Sequence, residues 1–125
     1  MSVDQFYSLF KKDVDNCKKD LELAENQKEI LEKEIMTMTT KRISDEHAFK
    51  LVRMHVIFIL AKDPEMAVGD VERTIEKEMA FNYENGNGNV AACHTWLLLW
   101  CIHKYIGNDD KCTKLKDKIA VPNGF

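Results

Sequence analysis

From Val3 to Met38 the apolar residues fall at alternating steps of four and three: Val3, Tyr7, Phe10, Val14, Cys17, Leu21, Ala24, Lys28, Leu31, Ile35 and Met38. Ten of these eleven are non-polar, and no proline or glycine interrupts the run. This is a heptad spacing, with Tyr7, Val14, Leu21, Lys28 and Ile35 at a and the others at d, sustained over about five heptads. A helix from Asp4 to Met38 would be roughly 50 Å long, too long to bury such a stripe inside a small domain. It must find another helix. The spacing predicts a coiled coil in which Tyr7, Phe10, Val14, Cys17, Leu21, Ala24, Lys28, Leu31, Ile35 and Met38 form the seam of a homo-oligomer, a dimer in its simplest form. The competing arrangement is an amphipathic helix folded back on the C-terminal half of its own chain. Flanking charges do not choose between them: in a parallel pair Asp13 attracts Lys18, but Asp20 repels Glu25.

The remaining sequence also reads as helix throughout. "TMTTKRIS" (37–44) has no stripe and marks a break, after which Ser44 can cap a helix over Asp45 to Ala61 that is apolar on nearly all sides. Asp63 followed by Pro64 opens a third helix with the stripe Val68, Val71, Ile75 and Met79. Beyond the loop "NYENGNGN", Asn89 can cap a fourth helix, Val90 to Ile106, stopped by Gly107. Asn108 then begins a short fifth with the stripe Cys112, Leu115 and Ile119. The expected fold is therefore all-α: an N-terminal coiled-coil helix over 1–43, then a compact bundle of about four helices over 44–125. With 125 residues, of which 45% are hydrophobic, the chain has enough apolar material for one core and little more.

Composition excludes several functions. The 18 basic and 21 acidic residues give a net charge of −3, and no third of the chain is strongly basic, which argues against a general polyanion binder. Four irregularly spaced cysteines do not make a disulfide framework, and "MSVDQFYSLFKKDVD" has no apolar signal region, so the expected compartment is reducing: cytoplasm or nucleus. The most apolar stretch, Trp96 to Ile102, falls far short of the roughly 20 residues that span a bilayer, so no membrane partner is expected.

The suggestive constellations each lack a necessary part. Gly86, Gly88 and Ala91 match the spacing of a dinucleotide fingerprint, with Asp109 and Asp110 beyond, but "EKEMAFNY" before them is a helix end rather than a buried strand. Cys93, His94, Cys101 and His103 are all possible zinc ligands, yet on one straight helix positions 93 and 101 lie roughly 12 Å apart, and no short Cys-x-x-Cys knuckle is present. Cys93 and His94 adjoin, but helix neighbours point about 100° apart and cannot work as a nucleophile and base. No catalytic residue, cofactor or metal is expected. Trp96 and Trp100, at i and i+4 on the most apolar helix, are the candidate partner-binding residues: tryptophan is often core but is also the residue most enriched at interface hot spots, and one of the two is expected to behave each way.

Two helices apolar on nearly all sides in about 80 residues carry more hydrophobic surface than so small a unit covers. The function expected from sequence is a non-enzymatic, self-associating assembly or adaptor protein that offers an apolar helical surface to another protein; its texture suits a viral accessory or capsid-assembly protein. The alternative is a small nucleic-acid-associated factor using the lysines of the last helix (Lys111, Lys114, Lys116 and Lys118).

Overall fold

The computed structural model describes residues 1–38, 45–71, 73 and 88–122. Every regular element among them is helical: α1 (Val3–Lys19), α2 (Leu21–Met38), α3 (Asp45–Lys62), α4 (Pro64–Met66) running into a π-helical turn (Ala67–Val71), α5 (Gly88–Ile106), and α6 (Asp109–Leu115) followed by a 3₁₀ turn (Lys116–Lys118). The all-α expectation holds for the described residues. Gly86, Ile75 and Met79, together with the proposed cap Ser44, lie outside them.

The expected single N-terminal helix is two helices. At the start of α1 the Ser2 side chain accepts from the Gln5 backbone N–H at 3.1 Å, and the Gln5 side chain accepts from the Ser2 N–H at 2.9 Å, a reciprocal capping box. Lys18 and Lys19 close the last turn of α1, where cations favour the negative end of the helix dipole. Asp20 then leaves the helical region at φ −149°, ψ 87°, and its carboxylate accepts from the Leu23 N–H at 3.0 Å, capping α2.

The break has a packing cause. Both α1 and α2 lie against α3, and α1 also reaches α5. Phe6 stands 6.1 Å from Phe49 near the start of α3, Asp13 meets Arg53 further along, and Lys28 of α2 lies 4.9 Å over Phe58 towards the end of α3. An unbroken helix of about 50 Å could not lay both halves of its stripe on one 18-residue partner; bending at Asp20 lets each half do so within one chain. Burial supplies the driving force, because Phe6, Phe10 and Val14 are all removed from water.

The core is continuous across the boundary drawn from sequence at 43/44. Phe6, Phe10 and Val14 of α1 share one cluster with Val56, Ile57 and Leu60 of α3 and Leu97, Leu98, Cys101 and Ile102 of α5. The N-terminal segment thus contributes Phe6, Phe10 and Val14 to that cluster. At its far end α5 stops on Gly107, the one described residue with positive φ (82°). The Gly107 N–H donates to the Lys104 carbonyl at 3.2 Å and the Asn108 N–H to the His103 carbonyl at 2.9 Å, the paired bonds of a Schellman stop. Asn108 in turn caps α6 by accepting from the Lys111 N–H at 3.3 Å. That corner folds α6 back onto α5, where Leu115 joins the buried core and Cys112, Ile119 and Val121 pack against that core.

Candidate interaction surface

The seam residues expected from sequence divide into three groups. Phe10, Val14 and Ala24 are buried, while Tyr7, Cys17 and Lys28 are half-buried. All six pack, wholly or in part, against the chain's own atoms. Tyr7 meets Trp100 edge-on at 5.8 Å, and the Lys28 ammonium rests over Phe58. Leu21 is 37% exposed. The side chains of Leu31, Ile35 and Met38 lie outside the described residues, although their backbone belongs to α2.

A different apolar set faces water. Leu9 of α1 and Leu23 and Ile30 of α2 are large, exposed hydrophobic residues, with Leu23 at 53% and Ile30 at 56%. Leu23 and Ile30 are seven positions apart and so stand nearly above one another on the side of α2 turned away from Ala24 and Lys28. Leu21 and Leu23 flank the α1–α2 corner. The sequence signal for this second face is the single seven-residue step from Leu23 to Ile30, masked by the stronger a/d pattern beside it.

The two tryptophans have separate fates. Trp100 is buried in its own chain, against Tyr7 and beneath Lys104, whose ammonium lies 4.7 Å from the indole and 4.8 Å from the Tyr7 ring. Trp100 thus helps join α5 to α1. Trp96 is half-buried, and the Lys118 ammonium covers it at 4.4 Å. Lys114, Lys116 and Lys118 are exposed, but Asp109, Asp110 and Asp117 are exposed among them, so the C-terminal face is mixed in sign.

The thiols are set in environments that keep them protonated. Burial pushes the Cys101 thiol far above the ordinary range, although the charges of Arg53 and Lys104 pull the other way. Burial also raises Cys17, helped by Asp13, and Cys112, helped by Asp109 and opposed by Lys104. Tyr7 is raised by burial and then by its neighbours Cys101 and Tyr105. A neutral thiol is a poor nucleophile and a poor metal ligand. The Cys112 Sγ donates weakly to the Trp100 carbonyl at 3.7 Å, and the imidazole of His103 is buried with Nδ1 3.4 Å from the Asn108 amide. Among the described residues no three His, Cys, Asp or Glu side chains group as a metal site, and none of the described helices is long and apolar enough to cross a membrane. The side chain of Cys93 lies outside the described residues.

No known protein family, curated protein sequence or solved structure matches the chain.

Proposed function

We propose that this chain is a non-enzymatic assembly or adaptor protein that self-associates through its N-terminal helices as a homodimer and offers an apolar helical surface to a protein partner. One observation carries the reading: Leu23 and Ile30 stand exposed on one side of a helix whose opposite side is already occupied by α3. A helix with a spent inner face and a second apolar face gains by covering that face with another helix. The thiols of Cys17, Cys101 and Cys112, kept protonated by burial, do not favour nucleophilic chemistry at those residues.

Light scattering on the full chain tests the reading. Wild type is expected to run as a dimer, and Leu23→Asp with Ile30→Asp as a folded monomer whose melting temperature no longer rises with protein concentration, since both side chains are exposed in the single chain. A wild type that stays monomeric up to its solubility limit overturns it.

A further inference from the structure

Asp20 is the single residue between α1 and α2, and nothing in the covalent chain forces the bend there: no proline or glycine occurs between Val3 and Met38. The heptad spacing runs through the corner without a skip. What holds Asp20 out of helical geometry is its own cap, the 3.0 Å bond from the Leu23 N–H to its carboxylate; the 3.2 Å bond from the Ala24 N–H to its carbonyl is an ordinary helical bond that a continuous helix would keep. Rotating this one residue into the helical region joins α1 and α2 into a single helix from Val3 to Met38, about 50 Å long.

That rotation carries α1 away from its own α3 and α5, uncovering Phe6, Phe10 and Val14 and the groove they filled. A second copy opened in the same way has a vacated groove of matching shape and charge. We infer that α1 exchanges between two copies of this chain, with Asp20 as the hinge, so that the α1 of each copy packs on the α3 and α5 of the other. The same contacts re-form between chains: Phe6 on Phe49, Asp13 on Arg53, Tyr7 on Trp100 and Lys104. Exchange of an identical element costs little because the native contacts are conserved, leaving the hinge and the loss of free motion of two molecules to set the equilibrium. The exposed Leu23 fits this account. Leu23 lies three residues from the hinge, where the two long helices pass each other, so a leucine that faces water in one chain faces the partner in the exchanged pair.

The inference rests on the self-association proposed above, and a mixing experiment separates the two. Asp13→Arg and Arg53→Asp are purified separately; each alone sets like charges together at the α1–α3 contact. In an exchanged heterodimer both contacts become opposite pairs, because the introduced arginine meets the introduced aspartate and native Asp13 meets native Arg53. Mixing is expected to give a one-to-one heterodimer by native mass spectrometry and a melting temperature above that of either variant. The double variant Asp13→Arg/Arg53→Asp, which restores the pair within each chain, controls for folding of the reversed contact. As a second variant, Asp20→Ala removes the cap and favours the continuous helix, and is expected to shift the equilibrium towards dimer by about tenfold or more. A dimeric wild type whose charge variants do not pair on mixing, and whose Asp20→Ala form dissociates like wild type, overturns the exchange and leaves self-association standing. Wild type and Asp20→Ala both monomeric at every concentration overturn both.

Discussion

Arg53 of α3 donates through Nη2 to the Asp13 carboxylate of α1 at 2.7 Å, while its guanidinium lies 5.6 Å from the centre of the Phe6 ring. One side chain thus fixes α1 on α3 by charge and by stacking at once. The Arg53 Nε is buried without a hydrogen-bond partner among the described residues, so the ion pair carries more of the desolvation cost of this guanidinium than a surface pair would.

Removing one partner is therefore expected to hurt more than removing both. Asp13→Ala should lower stability by about 1–2 kcal/mol, because it leaves the guanidinium largely buried and uncompensated. Asp13→Leu combined with Arg53→Met should recover most of that loss, since an apolar pair of similar length suits the Phe6 surface. Urea midpoints of the single and paired variants measure the difference; equal midpoints would show that the pair is fully solvated.

Alkaline pH should destabilise the fold through Cys101. Its thiol is raised well above the unfolded value of 9.0, so above about pH 9 the unfolded chain loses this proton while the folded chain keeps it. Stability from this group is complete below pH 9 and falls by about 1.4 kcal/mol per pH unit above it. Cys101→Ala should flatten the decline by that slope in denaturation curves taken between pH 8 and 10.5.

The local signals in the sequence were sound, and the errors came where tertiary packing decided. Asp63 does cap the helix that Pro64 opens, accepting from the Glu65 and Met66 N–H groups, and Gly107 and Asn108 form the stop and restart expected of them. Helix α5 begins at Gly88, so Asn89 lies inside it. At Asp20 the stripe gave no sign of a bend, because it serves a straight helix in a coiled coil and two folded-back halves equally well. The charges did give a sign: two lysines, a capping aspartate, then Glu22 is the order of a helix ending and another starting. The a/d register also passed over Phe6, which is almost fully buried; the face turned inward is Phe6, Phe10 and Val14, at steps of four. The exposed face of Leu23 and Ile30 left only one seven-residue step in the sequence, and it stands apart from the packed face once α3 occupies the other side.

The two tryptophans should separate cleanly in solution. Trp100→Ala is expected to cost about 3–5 kcal/mol, the range for a buried aromatic ring, and Trp96→Ala about 1–2 kcal/mol, since its ring is half-exposed. Acrylamide quenching of the single-tryptophan variants Trp96→Phe and Trp100→Phe gives an independent check. The protein that keeps Trp96 should quench several times more steeply.

Gly107→Ala tests the corner between α5 and α6. An added methyl group meets nothing within 4 Å, so the whole penalty is the backbone cost of holding a side-chain-bearing residue at φ 82°. That cost is about 1–2 kcal/mol, and Gly107→Asn should recover part of it because asparagine tolerates this region better. A thermal melt showing alanine and asparagine equal to glycine would mean that α5 ends in another way in solution.

Lys104 joins α1 to α5 by two different interactions, which salt can tell apart. Its ammonium stands 3.7 Å from the exposed Asp4 carboxylate and also lies between the faces of Tyr7 and Trp100. The ion pair is on the surface and should contribute little, so Asp4→Ala is expected to change stability by less than about 0.5 kcal/mol. The cation over two rings is partly desolvated and should contribute about 1 kcal/mol, which Lys104→Met would lose even though methionine keeps most of the stem's packing. Added salt screens exposed charges much more than partly buried ones. The Lys104→Met deficit should therefore persist in high salt, measured as the difference in urea midpoint from wild type. If the deficit vanishes with salt while Asp4→Ala matches it at low salt, the surface pair and not the ring contact holds these two helices together.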